Sequence, residues 1–167
     1  MILFYLEKWI LLNPEGVTLL RQKKNKIVFL TLKTQTMESF EIQATFRVEP
    51  GMIYKAWLDS SLHSEMTNAD SEIDPLLNGN FSIWNGYITG STVELEKNKK
   101  IVQRWRTTDF PVNSDHSIVE IHLSGTPKGT KLRIKHFNIP DGQGNDYKEG
   151  WKEYYFKPMK EYFKQTK

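Results

Sequence analysis

The sequence predicts an α+β domain in which a strongly curved antiparallel sheet carries one long C-terminal helix across its face, with two short helices after the first strand. Three observations carry this. Residues alternate apolar and polar from Phe40 to Val48, as a strand burying one face requires. Further short runs follow, each closed by a turn dipeptide or a polar tip. Finally, Trp151, Tyr154, Tyr155, Pro158, Met159, Tyr162 and Phe163 recur at helical intervals, which gathers an aromatic stripe on one side of a helix.

In chain order, Phe40, Ile42, Ala44, Phe46 and Val48 face one way while Glu41, Gln43, Thr45 and Arg47 face the other. Pro50 suits the first turn of a helix reaching about Asp59, with Met52, Ile53, Ala56 and Trp57 on its inner face. Ser60 and Ser61 offer hydroxyl acceptors for the start of a second short helix carrying Leu62 and Met66. Asn85-Gly86 tolerates positive φ and should turn a strand over 81–84 into one beginning at Tyr87. Lys97 to Lys100 form a polar tip between a strand ending near Glu96 and a strand over 101–107. A looser connection leads to a strand over 117–124, which Thr126 to Gly129 turn into a strand over 131–137. Val119, Ile121 and Leu123 share one face, as do Leu132, Ile134 and His136. Pro158 has no N–H for the carbonyl of Tyr154, so the last helix should bend there, and Gly150 should let its backbone approach the strands closely. A gap is expected between helix and sheet.

Composition narrows the classes of function. A chain of 167 residues suits one core, and 38% hydrophobic, 13% aromatic and 26% charged residues place it among globular proteins rather than disordered or membrane-spanning ones. The absence of cysteine excludes a disulfide scaffold, a thiol nucleophile and a thiolate zinc site. The net charge of +3 is local: residues 1 to 37 hold six basic groups against Glu7 and Glu15, leaving 17 basic and 18 acidic groups in the remainder. A near-neutral remainder argues against nucleic-acid binding, which needs many phosphate contacts.

Residues 1 to 37 read as an N-terminal extension and 38 to 165 as the domain proper. Glu7 and Lys8 interrupt the first apolar stretch, so it is too short to span a bilayer, and it lacks the pattern of a secretory signal. A cytoplasmic location is expected. The basic run Arg21 to Lys26 with the following Ile27 to Leu32 reads as a strand, a membrane-surface contact or a partner-docking arm. An unstructured leader that is no part of the native domain, with Met37 as the true start, is an equal alternative.

The residues also carry a resemblance. Gly79-Asn80-Phe81, Gly86-Tyr87-Ile88-Thr89-Gly90, Lys100-Ile101-Val102-Gln103-Arg104-Trp105-Arg106, and Gly150-Trp151-Lys152-Glu153-Tyr154-Tyr155-Phe156 with Pro158-Met159 occur in this order. From about Phe40 to Phe163 the chain resembles the C-terminal domain of the activator of heat-shock protein 90 ATPase. The resemblance implies the helix-grip fold of the SRPBCC or START-like superfamily, whose members enclose an apolar cavity between the long helix and the sheet. It also implies a chaperone as a partner, although residues 1 to 37 show no counterpart of the Asn- and Trp-rich domain that makes the main chaperone contact in eukaryotic activators. The superfamily includes lipid carriers, hormone receptors, polyketide cyclases and oxygenase subunits, so membership specifies fold better than function.

Such a cavity would be lined by Trp57, Phe81, Ile83, Trp105, His136, Trp151, Tyr155 and Met159, the same residues that would otherwise fill the core. His136 shares a strand face with Leu132 and Ile134, which suits a satisfied core histidine or the polar contact of a ligand hydroxyl or carboxylate. Lys131, Arg133 and Lys135 on the opposite face, near Glu120 and His122, read as a solvated face with charge pairs. Ser114-Asp115-His116 reads as a turn rather than a triad. The run from Asp141 to Asp146 fails the calcium-loop pattern, since its oxygen ligands do not alternate. With no nucleophile elbow, zinc helix or phosphate loop, no catalytic group, metal or cofactor is expected. The sequence therefore favours non-enzymatic binding of a small apolar ligand. The alternative is a chaperone-linked interaction module. Third is a cyclase- or hydrolase-like enzyme using His136 or Tyr155 as acid or base.

Overall fold

The computed structural model describes residues 2–5, 8–13, 16–23, 26–32 and 36–165, with side chains over 36–164. Contacts divide the chain into two compact units between Thr36 and Met37. In the first, β1 (Ile2–Tyr5), β2 (Lys8–Asn13), β3 (Gly16–Lys23) and β4 (Lys26–Leu32) pair in sequence as an antiparallel meander. The side chains of the basic run Arg21 to Lys26 lie outside the described residues.

The second unit begins with β5 (Met37–Phe46), followed by α1 (Pro50–Leu58) and α2 (Ser60–Thr67). Six strands follow: β6 (Ser71–Ile73), β7 (Asn80–Ile83), β8 (Ile88–Glu96), β9 (Lys100–Thr107), β10 (Ser117–Thr126) and β11 (Gly129–Pro140). They form one antiparallel sheet in the order β5-β11-β10-β9-β8-β7-β6. The first strand pairs with the last, so α1 and α2 carry the chain from one sheet edge to the other. Register shifts lie between Thr92 and Glu94 in β8 and between His136 and Ile139 in β11, where Asn138 has positive φ. Such bulges bend a strand and deepen its twist. At Gly90, where β8 passes between β7 and β9, an added Cβ would lie 1.9 Å from the Arg104 carbonyl oxygen and 2.5 Å from the Phe81 ring.

The helices match the expected pattern with local corrections. Met52 is 40% exposed, so the inner face of α1 consists of Ile53, Ala56 and Trp57 with Leu58. The cap of α2 is Asp59, whose carboxylate accepts from the Leu62 N–H at 3.0 Å. Ser60 instead bonds both backbone groups of Ile73 and so ties α2 to β6, a strand too short to show periodicity. On the outer sheet face, Glu120 pairs with His122 along β10 at 2.9 Å and Arg133 approaches Glu41 on β5 at 3.9 Å, as expected of a solvated charged face.

The C-terminal helix starts seven residues before Trp151. It runs through α3 (Gly144–Gly150), a π-helical turn (Trp151–Phe156) and α4 (Lys157–Gln165). Glu38 of β5 fixes its start by accepting from the N–H groups of Gly142 at 2.7 Å and Gly144 at 2.5 Å. The π-turn stands immediately before Pro158, where the N–H of Lys157 reaches back to the carbonyl of Lys152. A five-residue ladder stacks the residues around 155 and 156 over 151. Trp151, Tyr155, Phe156, Met159 and Phe163 therefore face the sheet, while Tyr154 is 62% exposed and leaves the expected stripe. Gly150 does not make the expected close approach, because a Cβ there would meet only the ring of Tyr154, at 3.9 Å.

Between helix and sheet lies a core of rings whose three indole N–H groups are answered internally. Trp105 and Trp151 stack at 4.8 Å between centroids, and Trp57 stacks on Tyr155 at 5.4 Å. The indole N–H groups of Trp57 and Trp105 both donate to Gln103 Oε1, at 3.1 and 3.3 Å, while Gln103 Nε2 donates to Thr92. The Trp151 indole donates to His136 Nδ1 at 3.2 Å. His136 must then carry its proton on Nε2, which donates to Ser117 Oγ at 2.8 Å, and the Ser117 hydroxyl passes on to the Trp105 carbonyl at 3.2 Å. Burial lowers the pKa of His136 to about 3. His63 is equally buried, so its pKa falls to about 4 despite the bond from its Nδ1 to the Trp57 carbonyl at 3.1 Å.

Two expectations follow. Both histidines stay neutral in the folded state while the unfolded chain takes up protons near pH 6.5, so their stabilisation is complete above that value and is lost as pH falls toward about 4 and about 3. Urea unfolding should show a loss of about 2 kcal/mol per histidine between about pH 7 and pH 5; equal stabilities at both values would contradict the assignment. Gly90→Ala should lower the urea midpoint by the equivalent of about 1 to 3 kcal/mol, the usual cost of overpacking, with the slope unchanged.

Candidate functional site

Where the C-terminal helix begins, it stands apart from the sheet and leaves a cavity of about 330 Å³. Its deep walls are Trp105 and Thr107 of β9, Ile88 of β8, and Trp151 and Tyr155 of the π-turn, all of them buried. Its outer end is formed by Tyr87, Asp109, Asp146 and Tyr154, which are exposed, with Trp84, Gln143, Tyr147 and Gly150 between. Gly150 lines the space without a side chain to fill it, which is the role its lack of a Cβ serves here.

Three tethers hold this end open and in shape. The Glu38 carboxylate fixes the loop before α3, the Tyr147 hydroxyl bonds Thr107 Oγ1 at 2.5 Å, and Gln143 Nε2 donates to the Asp109 carbonyl at 2.9 Å. The Tyr87 hydroxyl donates to Asp109 Oδ2 at 2.6 Å. Burial first, and then the hydrogen bond and negative charge of Asp109, raise the pKa of Tyr87. Tyr147 is raised by burial and by the charges of Asp109 and Asp146, against the bond to Thr107. Tyr155 is buried completely, which pushes its phenol well above the ordinary range, and its hydroxyl has no partner among the described residues.

Of the eight residues expected to line a cavity, the structure brings three to it: Trp105, Trp151 and Tyr155. Trp57 stacks behind Trp151 and Tyr155, and Phe81 lies behind Trp105 at 6.1 Å between rings. His136 sits behind Trp151 with both ring nitrogens engaged. Ile83 and Met159 are core residues. The remaining lining residues went unread, because most belong to turns and to the helix start. One signal was present: Tyr147 precedes Trp151 by four positions, on the same helical face.

Among the described residues no helix is long and apolar enough to cross a membrane. The chain is 23% identical over 159 residues to the human activator of 90 kDa heat shock protein ATPase homolog 1, covering 90% of this chain and 47% of that protein. It is 28% identical over 119 residues to an uncharacterized protein of Schizosaccharomyces pombe, covering 71% and 35%. The chain thus spans about a third to a half of the curated relatives it matches. Among solved structures, an Hsp90 activator from Plasmodium falciparum superposes with a TM-score of 0.64 at 29% identity, over 71% of this chain and 91% of that one. The family model described as activator of Hsp90 ATPase homolog 1-like protein matches residues 47–164. The helix gripped by a seven-stranded sheet, its aromatic seam and this match together make the chain a member of the activator of Hsp90 ATPase homolog 1-like family.

Proposed function

We propose that the unit formed by residues 38 to 165 is a non-enzymatic binding module that takes a small apolar ligand into the cavity at the start of its C-terminal helix. The observation that carries this is the cavity itself: about 330 Å³ walled by Trp105, Trp151 and Tyr155 and left open beside Gly150. That volume lies within the ordinary range of ligand sites, and concave aromatic walls with a few polar tips suit an apolar body. His136 and Gln103 answer the indoles behind the walls, so the rings are held rigid before any ligand enters. Of the two acid–base groups an enzyme reading would use, His136 is buried with both ring nitrogens engaged.

A second reading rests on the family match: the module contacts Hsp90 and changes its ATP turnover. Family membership supports it, although the chain corresponds to only part of its full-length relatives.

Each reading has its own measurement. Lipids and flavonoids screened by NMR should shift the indole signals of Trp105 and Trp151, and no shift across the library would defeat the ligand reading. Gly150→Leu should fill the cavity and weaken any such ligand at least about tenfold, while helix propensity favours the folded state by about 0.8 to 1 kcal/mol. Unchanged affinity in that variant would place the ligand elsewhere. For the second reading, the purified chain at micromolar concentration should alter the ATP turnover of purified Hsp90; no change in turnover and no shift of surface resonances would dispose of it.

A further inference from the structure

The cavity has a sign as well as a shape. Its lining contains two carboxylates, Asp109 and Asp146, and no lysine, arginine or histidine. Both carboxylates are exposed at the outer end, while the rings of Trp105, Trp151 and Tyr155 lie deeper. Asp109 gives one oxygen to the Tyr87 hydroxyl, and Asp146 has no hydrogen bond or ion pair among the described residues. Burial first, and then the charges of both carboxylates, raise the pKa of Tyr147 in the wall. Trp84 and Tyr154, in edge-to-face contact at 6.3 Å, add π-faces to the same lining.

We infer that the ligand of this cavity is a cationic amphiphile, an apolar chain or ring that enters the aromatic walls and carries an ammonium group held at the outer end by Asp109 and Asp146. This rests on the ligand reading above and adds the charge. Two carboxylates attract a cation at the opening and repel an acid. Aromatic faces favour a cation over a neutral or anionic head for the same electrostatic reason. An apolar acid of the same size would bring its carboxylate against two like charges with no basic lining group to offset them.

Three ligands of equal chain length separate the terms: octylammonium, octanol and octanoate, titrated against tryptophan fluorescence and by calorimetry. Octylammonium should bind about tenfold tighter than octanol, and octanoate weaker than both. The ratio of octylammonium to octanol affinity should fall toward one in an Asp109→Asn, Asp146→Asn double variant. In the unmodified protein it should narrow as salt rises from about 20 mM to about 500 mM, which needs no variant to fold. Octanoate binding as well as octylammonium, or a ratio indifferent to salt, would overturn the charge inference and leave the cavity reading standing. Failure of all three to bind would defeat both.

Discussion

Three indole N–H groups buried in one small core are the constraint on which the rest of the structure depends. A buried donor without an acceptor costs on the order of 1 to 3 kcal/mol, so each ring is tolerable only where an acceptor waits for it. Gln103 on β9 serves Trp57 and Trp105 with one carbonyl oxygen, and His136 on β11 serves Trp151. Trp57 comes from α1 and Trp151 from the C-terminal helix, so these bonds fix both helices to the sheet at stated strand positions. The tautomer of His136 follows from the same chain of donors, which ends on the Trp105 carbonyl. Pro158 and the π-turn act within this frame: the widened ladder lets Trp151, Tyr155 and Phe156 all face inward while Tyr154 swings out to the cavity's edge.

Much of the fold was legible because its signals are local. Alternation marked β5, β10 and β11, Asn85-Gly86 marked the β7–β8 turn, and helical spacing marked the ring-bearing C-terminal helix. What escaped depends on partners distant in sequence. The three residues of β6 pair because Ser60 and Ser64 bond the strand's backbone. The helix begins at Gly144 because Glu38, more than a hundred positions earlier, receives its first N–H groups. The missed cap is a different matter, since Asp59 competed with two adjacent serines and only geometry chooses among them.

The site was legible only in its walls. Trp105, Trp151 and Tyr155 were found because large rings on inward faces announce themselves. Trp57 and His136 announce themselves in the same way, yet they lie one layer behind, bonded to core acceptors. Periodicity tells which face a residue occupies and not how deep in the layer it sits. The acceptor Gln103 was readable in principle, since it alternates inward with Ile101 and Trp105, and a polar residue there implies a buried donor to meet.

The motifs that mark the family supply the cavity's aromatic walls, whereas its two carboxylates lie outside them. Gly90, Trp105, Trp151, Tyr155 and Met159 lie in the resembling stretches, and each is fixed by packing: Gly90 by the backbone beside it, the others by the ring seam or core. Asp109, Gln143 and Asp146 lie outside those stretches, on connections and on the first turn of α3. A loop residue can change without disturbing the seam, whereas a seam residue cannot change without leaving an indole unanswered or a void unfilled. The scaffold can therefore be held constant while the sign and reach of the opening vary from one member to another. In this chain the connection after β9 and the first turn of α3 place Asp109 and Asp146 at that opening, and its charge is negative.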